Sequence, residues 1–282
     1  MTQTLCFGLN VGLIGCGAIG GTLAQSIIEG KAGDVKLVAI CDIDKQKIER
    51  LNIQLGLSNL LVTTSYDEII YSKNIELVIE AASQNVVEAI SERVLNAGKN
   101  MLIMSIGALK DKDLLFRLVN IAKRKKVKLY LPSGAICGLD GVKAASVERI
   151  ARVEITTTKH PRGLDGAPYI LENNIDLNDL TMPMLVYEGT AKEAAKGFPK
   201  NVNVAVALSL AGIGVEKTMV KIIADPKASR TQHEVRVVGD FGELYTKVNN
   251  IIHPENPKTS YLAALAAIRT LRKIFDPIQV GT

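Results

Sequence analysis

The chain has 282 residues, of which 47% are hydrophobic and 22% charged, and this balance excludes a disordered or fibrous protein. A formal net charge of +5 suits anionic small ligands, and a 4% share of aromatic residues without Trp argues against a base-stacking surface. The lack of a long apolar run and of a basic leader predicts a cytoplasmic protein without a membrane span. At about 150 residues per domain, this length favours two domains.

The first half of the chain alternates apolar runs with segments of helical length. Five apolar runs predict buried strands at 11–15, 37–41, 77–79, 101–104 and 127–131. The segments between them predict helices near 19–30, 44–54, 86–97 and 111–125. This alternation predicts βαβ units and a parallel sheet covered by helices on both faces.

The pattern changes after about residue 152, where apolar and polar residues alternate and β-branched side chains are frequent. These stretches predict strands at 153–159, 184–188, 219–224, 233–238 and 243–248. One helix is predicted near 203–213, and a last, largely apolar helix runs from Tyr261 to about Ile274. Such strands form a more open sheet, which can leave one face for a partner subunit.

A glycine motif follows the first predicted strand and opens the first predicted helix. Gly15-Cys16-Gly17-Ala18-Ile19-Gly20 fits G-x-G-x-x-G. Gly15 permits a tight turn, Gly17 lets the backbone approach a pyrophosphate, and Gly20 lets the helix pack closely on the strand. The pyrophosphate would sit on the free N–H groups of the helix N-terminus. We therefore predict dinucleotide contacts at Gly15, Gly17, Ala18, Ile19 and Gly20.

Acidic and small residues at later strand ends extend this prediction. Asp42 ends the second strand, where its carboxylate would accept hydrogen bonds from ribose hydroxyls and repel a 2′-phosphate. The repulsion favours NAD over NADP. Lys45 and Lys47 could bind a 2′-phosphate, so NADP stays an alternative cofactor. Ala82 and Ser83 follow the strand at 77–79, and their small size would let the cofactor lie close. Ordinary loop chemistry explains these two residues equally well.

These observations predict an α/β protein with a Rossmann dinucleotide-binding domain over 1–135. Segment 256–282, which contains the last helix, is expected to return to that domain. Residues 136–255 are expected to form a second α+β domain on a mixed, open sheet, for substrate, catalysis and dimerisation.

The three histidines leave one candidate for proton transfer. His160 and His253 each precede a proline, and His160 is interpreted as a solvated loop residue. His233 follows a polar turn and begins a predicted strand, which can hold its ring firmly towards a cleft as a general acid or base. A hydrogen-bonded histidine at a strand end is the alternative. The four cysteines lack the spacing of a metal site, so free thiols and no metal are predicted.

Two further clusters combine polar side chains with prolines and glycines. Asn203 can cap the helix that begins there or bind a nicotinamide carboxamide. Near the last helix, Lys258 and Thr259 are candidates for contact with a substrate carboxylate, and Arg230 is a third candidate.

Together the motifs resemble the L-aspartate dehydrogenase family over most of the chain. They are, in order, GCGAIG, EAAS, PSGAICGLD, FPKNVNVA, DPKASRTQHEVRV and ENPKTS. The resemblance implies NAD(P)-dependent oxidation of L-aspartate to iminosuccinate. Iminosuccinate then hydrolyses to oxaloacetate and ammonia, or feeds quinolinate synthesis on the way to NAD.

The resemblance also implies roles for single residues. His233 is the catalytic residue, and Ala135 and an Asn of the NVNVA segment contact the cofactor, with Asn203 favoured over Asn201. We further expect a homodimer and a functional link to quinolinate synthase.

Three alternatives stay open from the sequence. Cys137 in the SGAICG loop would suit the thioester chemistry of an aspartate-semialdehyde dehydrogenase. The first domain could instead serve as an NAD-binding redox sensor without catalysis. The basic run 123–126 suggests nucleic acid, but it lies at a predicted helix C-terminus, where cations offset the helix dipole.

Overall fold

The computed structural model describes residues 8–199, 202–253 and 256–281, and within them the side chains of 256–258 are not described. The chain divides into two compact units. The first contains the residues up to Pro132 together with Ala264–Gln279, and the second contains Ser133–Ala263 and the residues from Val280 onwards. In the described ranges, no helix is long and apolar enough to cross a membrane.

The first unit is built on a six-stranded parallel sheet, with strand order β3-β2-β1-β4-β5-β6. The strands are β1 (Leu9–Ile14), β2 (Val35–Cys41), β3 (Leu61–Thr63), β4 (Leu77–Glu80), β5 (Asn100–Ile103) and β6 (Leu129–Tyr130). The central strands β1 and β4 are apolar on both faces because helices cover both sides of such a sheet. The sheet confirms the predicted Rossmann fold.

Helices connect these strands. They are α1 (Ala18–Ile28), α2 (Lys45–Leu55), α3 (Tyr66–Ile70), α4 (Gln84–Asn96) and α5 (Lys112–Lys125), with a short 3₁₀ helix at Ile106–Lys110. Side chains cap the N-termini of α2, α4 and α5. The Asp44 side chain accepts hydrogen bonds from two backbone N–H groups at the start of α2, and Asp111 does the same for α5. Lys123–Lys125 lie in the last turn of α5, where cations are favoured.

The second unit contains a five-stranded mixed sheet, with strand order β11-β10-β7-β9-β8. Its strands are β7 (Ile150–Lys159), β8 (Met184–Thr190), β9 (Met219–Ala224), β10 (Thr231–Gly239) and β11 (Gly242–Asn250). A separate hairpin pairs β12 (Ile252–His253) with β13 (Asn256–Ser260). Only β7 and β9 run parallel, and the other pairs of the sheet are antiparallel.

Helices of the second unit lie against one face of this sheet. They are α6 (Leu139–Ala145), α7 (Pro168–Glu172), α8 (Ala191–Gly197) and α9 (Asn203–Ala211). Residues of β7 alternate between buried and half-buried, so that Val153, Ile155, Thr157 and Lys159 all face inward. The opposite face of the sheet stays largely open. This alternation matches the one read from the sequence.

The last helix, α10 (Tyr261–Lys273), contributes to the core of the first unit. Ala267, Ile268 and Leu271 pack with the core residues of β1 and α1. The helix is amphipathic, with Leu265 exposed, and is not buried on all sides as its composition suggests. In the predicted returning segment 256–282, residues 256–260 form β13, and the residues before Ala264 lie in the second unit.

Candidate active site

The glycine turn of the first unit has a backbone that other residues would not tolerate. Gly15 has φ +106°, and a Cβ there would lie 2.5 Å from the Ala81 carbonyl oxygen. A Cβ on Gly20 would lie 1.8 Å from the Gly15 carbonyl oxygen. At Gly17, by contrast, a Cβ would meet no atom within 4 Å. Gly15 and Gly20 therefore shape the turn, while Gly17 faces open space in which a ligand can approach the backbone.

Asp42 ties this turn to the end of β2. Its carboxylate accepts hydrogen bonds from the backbone N–H groups of Cys16, at 2.8 Å, and Asp44, at 3.0 Å. The Cys16 thiol is inert, because burial raises its pKa to about 12 with a contribution from the Asp42 charge. The Asp42 carboxylate therefore fixes the glycine turn, and it is the same group that is predicted to accept hydrogen bonds from the ribose.

A cavity of about 250 Å³ opens at this edge of the parallel sheet. The predicted residues Gly15, Gly17, Asp42, Ala82 and Ser83 all line it. Its remaining lining residues are Ile14, Ile43, Lys47, Tyr66, Ala81 and Val86. Such a cavity at the carboxyl ends of parallel strands is where open α/β sheets bind their ligands.

Ala18, Ile19 and Gly20 do not line this cavity. They form the first turn of α1, whose N-terminal residue Gly17 makes no side-chain cap. Ile19 packs its side chain against the core of the unit, so only its backbone is available to a ligand. The first turn contains no acidic residue, so its N–H groups suit an anion.

Glu80 is a fully buried acid under the same edge, and the sequence reading did not assign it a role. Its carboxylate accepts hydrogen bonds from the backbone N–H of Ala82 at 2.8 Å and from both the N–H and the hydroxyl of Ser105. Burial raises the pKa of this carboxyl, whereas the hydrogen bonds oppose that shift. Glu80 therefore fixes the loops that follow β4 and β5, including the cavity residue Ala82.

In the second unit, His233 lies on the buried face of β10 and is only 3% exposed. Its ring Nδ1 is 2.9 Å from the Thr157 hydroxyl on the neighbouring strand β7. Burial lowers the pKa of His233 to about 3, and the positive charge of Lys159 contributes. The ring is therefore neutral at physiological pH. The hydrogen bond with Thr157 holds this neutral ring in one orientation.

Lys159 lies two residues beyond Thr157, on the same face of β7, and is 7% exposed. Burial lowers the pKa of its ammonium group to about 8. The sequence reading missed Lys159, although a lysine at an inward position of an alternating strand is a detectable signal.

Ala135 and Asn203, the other predicted cofactor contacts, also belong to the second unit. The backbone carbonyl of buried Ala135 accepts a hydrogen bond from the Asn250 amide at 3.0 Å. Asn203 is the first residue of α9, and Val202 occupies the cap position, so Asn203 is not the predicted cap. Asn201 lies outside the described residues.

The three predicted substrate contacts lie in two segments of the second unit, the loop before β10 and strand β13. Arg230 is exposed in the loop before β10. Thr259 is half-buried in β13, and Lys258 is one of the residues whose side chains are not described.

The other histidines and Cys137 occupy different surroundings. The His160 ring accepts a hydrogen bond from the Arg162 N–H at 3.3 Å and so caps a short 3₁₀ turn. His253 is buried and packs edge-on against Tyr261. Cys137 is exposed.

Two family models match the chain, one in each half. The NAD-binding domain of homoserine dehydrogenase matches residues 15–132, and the C-terminal domain of aspartate dehydrogenase matches residues 140–274. Among solved structures, aspartate dehydrogenase of Thermotoga maritima superposes with a TM-score of 0.77 at 28% identity, covering 97% of this chain and 99% of that chain. Homoserine dehydrogenase of Thiobacillus denitrificans shares the fold, with a TM-score of 0.60 at 14% identity, covering 94% and 74%.

Curated relatives extend this similarity over almost the whole length. The L-aspartate dehydrogenase of Methanosarcina mazei is 48% identical, covering 97% of this chain and 100% of the relative. That of Nitrosopumilus maritimus is 41% identical, covering 96% and 99%. The chain therefore belongs to the L-aspartate dehydrogenase family.

Proposed function

We propose that this protein is an NAD(P)-dependent L-aspartate dehydrogenase that converts L-aspartate to iminosuccinate. The observation that carries the proposal is the 48% identity to an L-aspartate dehydrogenase over nearly the full length of both chains. The first unit binds the dinucleotide, and the second unit supplies the group that moves protons. Iminosuccinate then hydrolyses to oxaloacetate and ammonia or serves quinolinate synthesis.

The residues of the first unit fit a dinucleotide. The open space at Gly17 admits a phosphate group to the backbone, and the uncapped first turn of α1 presents N–H groups to it. The Asp42 carboxylate accepts hydrogen bonds from the ribose hydroxyls. Ala82 and Ser83 also line the cavity, and their small side chains leave room for the cofactor. When bound, the nicotinamide ring supplies the acceptor for the hydride that leaves Cα of aspartate.

His233 supplies the proton chemistry in this proposal. The α-ammonium of aspartate must lose a proton first, because the nitrogen lone pair forms the C=N bond as the hydride leaves. His233 is neutral in the free protein, and it accepts this proton once the carboxylates of bound aspartate raise the pKa of the ring by favouring its charged form. The Thr157 hydroxyl fixes the ring through Nδ1, so that Nε2 is the atom available for transfer. After it has released this proton to solvent, the same ring can take a proton from the water that attacks the imine.

A spectrophotometric screen tests the activity. The purified protein is mixed with NAD or NADP and single L-amino acids, aspartate first, and NAD(P)H is followed at its absorption band. The reverse reaction uses oxaloacetate, ammonium and NADH. Turnover with aspartate and oxaloacetate supports the proposal, and no signal in either direction contradicts it.

A Cys137→Ser variant separates this activity from thioester chemistry. A dehydrogenase that acts on an amine keeps its turnover in the variant, because the thiol takes no part. An aspartate-semialdehyde dehydrogenase that uses Cys137 as nucleophile loses it.

The proposal includes a cytoplasmic homodimer that is functionally linked to quinolinate synthase. The open face of the five-stranded sheet is the surface we assign to the second copy. It carries exposed Leu185 and Tyr245 between ion pairs such as Lys221–Glu188. Light scattering of the purified protein tests the dimer, and a monomer at micromolar concentration contradicts it.

A further inference from the structure

The buried face of the second sheet is divided into an apolar end and a polar end. At one end, the inward residues of β7 and β10 are Val153, Ile155, Val235 and Val237. At the other end, five polar residues from β7, β10 and β11 are each less than a tenth exposed: Thr157, Lys159, Thr231, His233 and Asn250. We call these five residues the polar end. A sheet that only needed a core would continue the apolar pattern, because burying polar groups is costly.

Strand register brings the members of the polar end together. His233 pairs with Thr157, and Gln232 pairs with Thr158, so the next inward position of β7 is Lys159, beside Thr231. Thr231 in turn pairs with Asn250 of β11. Lys159 and Asn250 therefore flank Thr231 across three adjacent strands, about 10 Å apart at two strand spacings.

Lys159 places a positive charge where an aliphatic side chain would pack at lower cost. Replacing a buried charged group by a hydrophobic residue of similar volume is often neutral or stabilising. The charge also acts on His233, since it contributes to the depressed pKa of that ring. Buried titratable groups that perturb one another are characteristic of functional sites.

Asn250 provides a second, independent sign of a ligand. It is 2% exposed, and its Nδ2 donates to the Ala135 carbonyl oxygen at 3.0 Å. Its Oδ1 is buried and has no hydrogen-bond partner among the described residues. An acceptor left in this state is costly, and a ligand N–H group would satisfy it. The polar end thus offers a cation, an open acceptor and a proton acceptor.

We propose that Lys159 is a substrate-binding residue whose ammonium group binds a carboxylate of the amino-acid substrate beside His233. A dicarboxylic amino acid complements the polar end, because its carboxylate pairs with Lys159 and its amino group suits Asn250 and His233. This inference rests on the proposed function and adds the residue that selects an acidic substrate. Arg230, by contrast, is exposed in its loop.

Steady-state kinetics of a Lys159→Met variant test the inference. At saturating NAD, the KM for L-aspartate should rise about 100-fold, as expected for loss of a hydrogen bond to a charged group. The dissociation constant of NADH, measured by fluorescence titration, should stay within about twofold, and kcat should fall much less than KM rises. Succinate, which has both carboxylates but no amine, should lose inhibition in parallel. A purely structural role for Lys159 would not produce this pattern.

Lys217→Met is the matched control, because Lys217 is exposed in the loop before β9. It should keep the wild-type KM and the wild-type succinate inhibition. If Lys159→Met does not fold, Lys159→Gln is used instead, because glutamine is of similar length and can form hydrogen bonds. The same rise in KM is expected for this variant. A wild-type KM in a folded Lys159 variant overturns the inference while wild-type turnover of aspartate upholds the proposed function. Failure of the wild-type protein to oxidise aspartate overturns the proposed function itself.

Discussion

His233 of β10 lies directly opposite Thr157 of β7, and the histidine Nδ1 is 2.9 Å from the threonine hydroxyl. The pair is buried on the inward face of the sheet. Because two strands hold the two side chains at a fixed register, the ring does not depend on a mobile loop for its orientation. In the proposed reaction, a base held in this way needs little reorganisation before it accepts a proton.

Replacing His233 by alanine should remove most of the turnover and leave the dinucleotide site intact. Loss of a positioned base lowers the rate about 10²–10⁴-fold. NADH binding should be unchanged, since Gly15, Gly17 and Asp42 are untouched. Stopped-flow and steady-state rates, with NADH fluorescence titration, measure both properties. His160→Ala is the control, as this histidine caps a short turn. Near-wild-type turnover in His233→Ala would remove His233 from the mechanism.

The Thr157 hydroxyl should matter through orientation of the ring. Thr157→Val has the same shape but no hydroxyl, and kcat should fall about tenfold because the ring loses one buried hydrogen bond. Thr157→Ser keeps the hydroxyl and should recover most of that loss. The ratio of kcat between the two variants is the measurement. Equal kcat values would show that the hydrogen bond does not position His233.

The parts of the site that the sequence predicts best are local in the chain. The glycine turn and Asp42 are set by a strand, a turn and a helix that follow one another, so spacing alone places them. His233 was found because histidine is rare here. Its pKa was not predicted, because the burial that lowers it depends on how the helices cover β10.

Residues whose roles depend on register or burial were missed. Lys159 is next to Thr231 only because β7 and β10 pair in one particular register, which no local pattern reveals. Glu80 looks like an ordinary acid at a strand end, and only the loop after β5 brings Ser105 to it. The three-residue edge strand β3 was also missed, since Leu61–Thr63 is too short to show periodicity.

The depressed pKa of His233 should appear in the pH dependence of stability. The folded protein takes up this proton only near pH 3, whereas an unfolded chain does so near pH 6.5. Within this window the unfolded state binds more protons, so the free energy of unfolding falls as pH falls, by up to about 1.4 kcal/mol per unit. The contribution is complete above pH 6.5. Denaturant unfolding between pH 5 and 6.5 should show a shallower slope for His233→Gln, and identical slopes would contradict the assignment.

Asp42 should control the choice between the two dinucleotides. Asp42→Ser removes the charge that repels a 2′-phosphate and leaves Lys47 at the cavity. The dissociation constant of NADPH relative to NADH should therefore fall at least about tenfold, equal to about 1.4 kcal/mol. NADH binding should weaken as well, because Cys16 and Asp44 lose the acceptor that fixes the turn. An unchanged ratio would show that Asp42 does not face the ribose.

Two glycines of the same turn should respond to alanine in opposite ways. In Gly20→Ala the new Cβ would lie 1.8 Å from the Gly15 carbonyl oxygen, so the helix must move and unfolding should become easier by about 3 kcal/mol. In Gly17→Ala the Cβ meets no atom within 4 Å, so stability should be kept. The same methyl group would stand where a pyrophosphate approaches, and NADH binding should weaken about tenfold or more, a loss of at least about 1.4 kcal/mol. Thermal unfolding and NADH titration of both variants separate the two effects. A Gly17→Ala variant with wild-type affinity for NADH would place the pyrophosphate away from this turn.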